Sequence, residues 1–121
     1  MERVAVIGVG QTKYAADKRE TFHELVWEAA TKALADAGIT VKEIDNVVSI
    51  SSDFWDGRTI SCMAISDTSG GYNKDISTVE GDGTFGALYG MMRILSGSFG
   101  TTMVVAHHKG CLLYTSPSPR D

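Results

Sequence analysis

The sequence lacks several features that would assign it to a protein class at once. It has two cysteines in 121 residues, too few for a disulfide framework or a zinc site. Its net charge is −4, so it carries no basic footprint for nucleic acid. It has no apolar run of about 18 residues or more and no secretory signal pattern at its amino terminus, so neither a membrane span nor export is expected. The predicted location is the cytoplasm.

Proline is absent from residues 1–110, and both prolines of the chain lie close to its carboxyl terminus. The character of the sequence changes after Gly110, where the stretch CLLYTSPSPRD begins. This stretch matches one reading frame of a transposase-type sequencing adaptor, so residues 111–121 are interpreted as an assembly remnant without a structural role. Residues 1–110 are then expected to be a partial amino-terminal domain of a longer protein, and Cys111 is expected to carry no function.

Strand-like and helix-like segments alternate along the chain. Runs of β-branched and apolar residues predict four strands, at residues 3–9, 46–51, 76–79 and 101–106. A helix is predicted at residues 22–37, because Thr21 and Glu24 form a capping-box pattern and apolar residues recur at helical spacing. A second helix is predicted at residues 84–96, and its nearly uniform apolar character indicates burial on more than one side. This order indicates an α/β fold with a mostly parallel sheet.

The turn before the second helix carries the sharpest local motif. Gly81, Gly83 and Gly86 fit the G-x-G-x-x-G pattern that lets a pyrophosphate approach the positive end of a helix. The next strand, however, ends without an acidic residue for a ribose hydroxyl, and Asp82 would place a negative charge near the phosphates. A tight turn with close packing is therefore the favoured interpretation, and a dinucleotide-binding module using these three glycines stays as an alternative.

Other residues with catalytic or metal-binding chemistry have ordinary structural interpretations. His107 and His108 are adjacent on a strand and point to opposite faces, so they are not expected to share a metal ion, and both are predicted to be solvated. Cys62 has no histidine at a diagnostic spacing and is predicted to be a small packed side chain. Trp27 and Trp55 are predicted to be packing residues, and no metal site is predicted.

Three segments resemble, in their order along the chain, the start of the thiolase superfamily: RVAVIGVGQTKY, ELVWEAATKALADAGI and IDNVV. The later run VEGDGTFGALYGMMRILSGSFGTTMVVAHHKG is similar to the nucleophile turn, central helix and following strand of one branch. That branch holds sterol-carrier-protein thiolases and archaeal acetyl-CoA acetyltransferases. The resemblance implies the first half of a layered αβαβα fold, with residues 84–96 as the buried central helix. It also implies a homo-oligomer when the protein is full length.

The resemblance further implies an acyltransferase of lipid metabolism, of the acetyl-CoA acetyltransferase type, with a coenzyme A thioester as substrate and no covalently bound cofactor. Catalytic thiolases place a cysteine in the turn before the central helix. That position matches Gly81 when the helix residues are aligned and Gly83 when the turn residues are aligned. No catalytic residue of the family is therefore carried onto this sequence, and the piece itself is expected to be inactive. A thiolase-fold aldolase, which cleaves a carbon–carbon bond without the cysteine, and a non-catalytic subunit stay open. Such relatives often pair with a small OB-fold protein that carries a zinc ribbon.

Overall fold

A computed structural model describes residues 2–13, 21–56 and 60–107 of the chain. Three parallel strands lie in the spatial order β2-β1-β3, and they are β1 (Asn46–Ser51), β2 (Asp75–Glu80) and β3 (Thr102–Ala106). Within the described ranges, four α-helices accompany them, α1 (Phe22–Ala37), α2 (Asp53–Asp56), α3 (Ser61–Ala64) and α4 (Gly83–Leu95), with a 3₁₀ turn at Val41–Glu43. The predicted α/β class with a parallel sheet is confirmed. No helix in the described ranges is both long and apolar enough to cross a membrane.

Strand β1 is the centre of the sheet, and all six of its residues are buried. It pairs with both neighbours, so Val47 lies opposite Ile76 of β2 and Met103 of β3. Strand alternation sends Val47 and Ser49 to one face of the sheet and Ile50 to the other. A parallel strand flanked on both edges and covered on both faces is the environment that suits a run of β-branched residues.

Helix α1 covers the first face of the sheet, where Val26 and Ala30 join the buried cluster around Val47. Both hydrogen bonds of the predicted capping box are present. The Thr21 hydroxyl accepts from the Glu24 amide at 3.2 Å, and the Glu24 carboxylate accepts from the Thr21 amide at 3.0 Å. The predicted helix at residues 22–37 is confirmed with its boundaries, because the capping box encodes its start and Gly38, in a left-handed conformation, encodes its end.

Helix α4 covers the second face through glycines rather than through large side chains. A Cβ added to Gly86 would lie 1.9 Å from Cδ1 of Ile50, and one added to Gly90 would lie 2.7 Å from Cγ2 of Val104. The helix backbone therefore lies directly on the sheet. Gly86 and Gly90 are the buried residues of this helix, so the close approach compensates for the low helix propensity of glycine.

The outer side of α4 differs from the expectation of a helix buried on more than one side. Its large apolar side chains point away from the sheet, and Phe85 and Leu88 are 61% and 50% exposed. Met91, Met92 and Leu95 are exposed as well. Among the described residues, packing covers only the glycine side of α4, because no further layer lies outside it.

Residues 3–9 also differ from the prediction, which placed a buried strand there. They form no strand within the described part of the chain, and Val6 is 84% exposed. The segment lies against α1 instead. The Val9 amide donates to Oδ2 of Asp36 at 2.9 Å, and a Cβ added to Gly8 would lie 2.5 Å from the Ala33 carbonyl oxygen. β-Branched composition fits a strand, but it does not supply the neighbouring strand that a ladder requires.

Candidate functional site

The carboxyl ends of the three parallel strands meet at one edge of the sheet, and open α/β sheets bind ligands at this edge. Backbone hydrogen bonds continue there beyond the strands. The Gly81 amide donates to the Ser51 carbonyl at 3.3 Å, and the His107 amide donates to the Ile50 carbonyl at 3.1 Å. The segments that follow β1, β2 and β3 are therefore held side by side, and polar residues far apart in sequence come together.

The strand order reverses at this edge, since the chain passes from β1 to β2 on one side and then crosses to β3 on the other. The connection after β1 runs over the first face, where Ile65 packs in the cluster of Val47. The connection after β2 runs over the second face, where Gly86 meets Ile50. Such a reversal is the topological switch point at which α/β folds place ligands. With the order β2-β1-β3, the candidate site therefore lies between the carboxyl ends of β1 and β3. The start of α4 reaches it, since a Cβ added to Gly83 would contact the Ala106 Cβ at 3.9 Å.

The turn between β2 and α4 is fixed by its own aspartate. Asp82 is the N-cap of α4, and its Oδ1 accepts from the amides of Thr84 at 3.0 Å and Phe85 at 3.2 Å. A phosphate bound at the helix amino terminus would need these amides. Because Asp82 occupies them and Gly86 faces Ile50, the geometry does not favour the alternative of a dinucleotide-binding module.

The two glycines that flank Asp82 have different surroundings. Gly81 has a φ of 134°, which L side chains rarely adopt, and an added Cβ would lie 3.3 Å from Cδ2 of Phe85. Gly83 has no positive φ, and the nearest atom outside its own helix to an added Cβ is the Ala106 Cβ, at 3.9 Å. Position 83 can therefore hold a side chain at the start of α4, whereas a side chain at position 81 is strained.

A second polar group lies beneath the same edge, on the α1 face. His107 is only 6% exposed, its Nε2 lies 3.1 Å from the Ser49 hydroxyl, and its ring meets Phe22 edge to face at 5.6 Å. The prediction of a solvated His107 is therefore wrong. Met103 and Val105 of β3 are buried on the α1 face, so a period of two continued beyond the strand would have placed His107 there.

Hydrogen bonds around Asp53 connect the end of β1 to the segment that follows it. The Ser61 hydroxyl donates to the Ser51 hydroxyl at 3.0 Å, and the Ser61 amide donates to Oδ2 of Asp53 at 3.2 Å. Desolvation raises the pKa of Asp53, but hydrogen bonds from Ser61 and Ser51 and the charge of His107 outweigh it and hold the pKa below its ordinary value. Asp53 is therefore an ionised acceptor that fixes the start of this segment.

Other predicted candidates lie away from this edge or outside the described residues. Trp27 is 59% exposed on the outer side of α1, so its predicted packing role is wrong. Cys62 is half-buried on α3, as expected for a small packed side chain. His108, the Trp55 side chain and residues 111–121 lie outside the described parts. In the described ranges, no cluster of three or more His, Cys, Asp or Glu side chains could hold a metal ion.

Known proteins share parts of this sequence and fold, although no family model matches the sequence. Over 47 residues, or 39% of this chain, the sequence is 45% identical to an acetyl-CoA acetyltransferase of Methanocaldococcus jannaschii, and the match covers 12% of that protein. The fold is similar to that of 3-oxoacyl-[acyl-carrier-protein] synthase III from Aquifex aeolicus. That similarity has a TM-score of 0.64 at 15% identity and covers 76% of this chain and 31% of the synthase.

These similarities define the class of fold. The fold is thiolase-like, as the resemblance in the sequence implied, and one stretch of the sequence is similar to an acetyl-CoA acetyltransferase. The matched parts span less than a third of the length of either relative.

Proposed function

We propose that this chain is the amino-terminal part of a thiolase-family protein that acts on acyl-CoA thioesters. The sequence match to a protein named acetyl-CoA acetyltransferase supports the substrate class. The short span of both matches supports a longer parent protein, which fits the interpretation of residues 111–121 as an assembly remnant. The exposed apolar side of α4, with Phe85 and Leu88, supports a further layer from the rest of that parent.

The observation that carries the proposal is the geometry at position 83. The resemblance to thiolases assigns their nucleophile to Gly81 or Gly83, and the left-handed φ of Gly81 favours Gly83. As the first residue of α4, position 83 lies where the helix dipole lowers the pKa of a thiol. The site thus keeps the backbone of a nucleophile turn and lacks the nucleophile.

A glycine at position 83 removes the covalent route of ordinary thiolases from this subunit. We therefore propose a reaction of acyl-CoA that needs no thiol, such as aldol cleavage at the carbon next to the thioester. A non-catalytic subunit that binds the thioester is the second candidate, and the same missing thiol favours it. A homo-oligomer, a small OB-fold zinc-ribbon partner, a cytoplasmic location and a role in lipid metabolism belong to the same proposal.

The experiment that tests the proposal begins with the genomic locus, read across codon 110, and continues with expression of the whole reading frame. The product should bind acetyl-CoA, and acetyl-CoA at 100 times its Kd should stabilise it by about 2.7 kcal/mol. Thermal unfolding with and without the ligand measures this effect.

NAD and NADP serve as matched controls in the same assay. Stabilisation by either dinucleotide, with none by acetyl-CoA, would contradict the proposal and restore the dinucleotide alternative at Gly81, Gly83 and Gly86. A genome that encodes residues 111–121 and then a stop codon would contradict the longer parent protein.

A further inference from the structure

We propose that the outer side of α1 is a docking surface for an arginine-bearing segment of a partner protein, with Trp27 as its platform. A single exposed apolar side chain is ordinary on a protein surface. Trp27 differs because it is exposed and at the same time lines an open groove of about 550 Å³. A tryptophan beside such a groove is the kind of side chain that anchors protein interfaces.

The groove lies between two elements that the apolar core holds in place. Five side chains line it, four from α1 and one from the connection between β1 and β2: His23, Glu24, Trp27, Glu28 and Thr68. Next to Trp27 in sequence, Val26 is buried in the same apolar cluster as Ile65 of the connection. The Thr68 hydroxyl donates to the Ile65 carbonyl at 3.4 Å. Both sides of the groove are therefore preformed, and a partner would not have to order them.

The charges around Trp27 are negative, and they define the chemistry of the partner. Glu24 and Glu28 line the groove together with Trp27. Lys32 pairs with Glu28 at 2.7 Å, but in the described ranges no cationic side chain pairs with Glu24. The whole chain carries a net charge of −4. A phosphate-rich partner would be repelled by this surface, whereas a basic segment would be attracted to it.

An arginine side chain fits this combination of an aromatic ring and a carboxylate. Its planar guanidinium stacks on an indole ring while its N–H groups donate to a carboxylate. Glu24 and Trp27 are three residues apart, so they share one face of α1. Oε2 of Glu24 accepts from the Thr21 amide at 3.0 Å, and no hydrogen bond reaches Oε1 among the described residues. The groove thus offers a π face and an acceptor oxygen on the same side of the helix.

The test measures binding of a dye-labelled glycine peptide with two adjacent arginines to the product of the whole reading frame, by fluorescence anisotropy. The peptide should bind saturably with a Kd below about 1 mM, and its affinity should fall as salt is raised. The same peptide with citrulline in place of arginine keeps the shape without the charge and should not bind.

Two substitutions separate the ring from the charge. Trp27→Leu removes the π face but keeps an apolar side chain, and it should weaken peptide binding about fivefold. Glu24→Gln removes the charge but keeps the capping hydrogen bond to the Thr21 amide, and it should weaken binding about threefold. Glu43→Gln is the matched control, because Oε2 of Glu43 accepts from the Thr40 amide at 2.8 Å in a second capping box outside the groove. It should bind the peptide as the unmodified protein does.

The proposal is overturned if the arginine peptide does not bind with a Kd below about 1 mM, or if the citrulline peptide binds equally well. It is overturned as well if Trp27→Leu and Glu24→Gln leave binding unchanged, since the peptide would then occupy another surface. Sedimentation covers one further occupant. If Trp27→Leu dissociates an oligomer of the unmodified protein, the groove belongs to a second copy of this chain and the arginine proposal falls. Acetyl-CoA enters none of these measurements, so each failure leaves the acyl-CoA proposal standing.

Discussion

Helices α1 and α4 cover opposite faces of the same sheet in opposite ways. α1 packs through side chains such as Val26 and carries charged residues outside, where Lys32 pairs with Glu28 at 2.7 Å. α4 packs through Gly86 and exposes large residues such as Leu88 on its outer side. The outer side of α1 is thus polar and suited to solvent, whereas the outer side of α4 is apolar, as in a helix that a further layer covers. The difference shows that the contact area of a helix cannot be inferred from its apolar content alone.

The largest effect is expected where α4 touches the sheet. Gly86→Val would place a Cβ only 1.9 Å from Cδ1 of Ile50. The free energy of unfolding should therefore fall by about 3 kcal/mol. Urea unfolding measures this loss. Ala87→Val, one residue along on the exposed side, is the control and should cost less than about 1 kcal/mol. Equal losses in the two variants would refute the close approach of α4 to the sheet.

A smaller effect is expected at the start of α4, where glycine stands on both sides of the capping aspartate. Gly81→Ala places a Cβ on a residue with a φ of 134° and should cost about 1–3 kcal/mol of stability. Gly83→Ala fits the helix without strain and should be neutral or stabilising by up to about 1 kcal/mol. Thermal unfolding of the two variants side by side checks this. A larger loss of stability in the position-83 variant would contradict the conclusion that position 83, rather than position 81, can hold a side chain.

The smallest effect on stability, with a clear effect on association, is expected on the outer sides of the two helices. Leu88→Lys interrupts the exposed apolar side of α4 and should weaken self-association of residues 1–110 by about tenfold, since burying a leucine side chain contributes about 1.5–3 kcal/mol. Trp27→Lys makes the same change on the outer side of α1 and should leave association unaltered. Sedimentation analysis distinguishes them. A monodisperse, cooperatively unfolding monomer of unmodified residues 1–110 would contradict the expectation.

The sequence was sufficient to predict the elements whose ends are encoded by nearby residues and whose apolar residues recur at regular spacing. Helix α1 matches its prediction because Thr21 and Glu24 encode its start and Gly38, in a left-handed conformation, encodes its end. The segment at residues 3–9 has a strand composition like that of Asn46–Ser51, yet only the second is a strand. The difference lies in neighbours from distant parts of the chain, which composition does not encode.

The candidate site was predictable in its position along the chain but not in its geometry. The pattern identified the turn at residues 80–83, yet it could not choose between Gly81 and Gly83, because the choice depends on the backbone φ at each glycine. The buried environment of His107 was missed because its burial depends on Phe22 and Ser49, both far away in sequence. Contacts of this kind become visible only when the fold is known.

The central position of β1 also sets the order in which the protein can fold during synthesis. Asn46 of β1 pairs with Asp75 and Thr102, which lie 29 and 56 residues further along the chain. At about 5–20 residues per second, the ribosome needs several seconds to deliver the second partner. During that time one edge of the central, fully buried strand is open to other nascent chains. A stop in translation before β3 would therefore leave an aggregation-prone intermediate rather than a smaller stable domain.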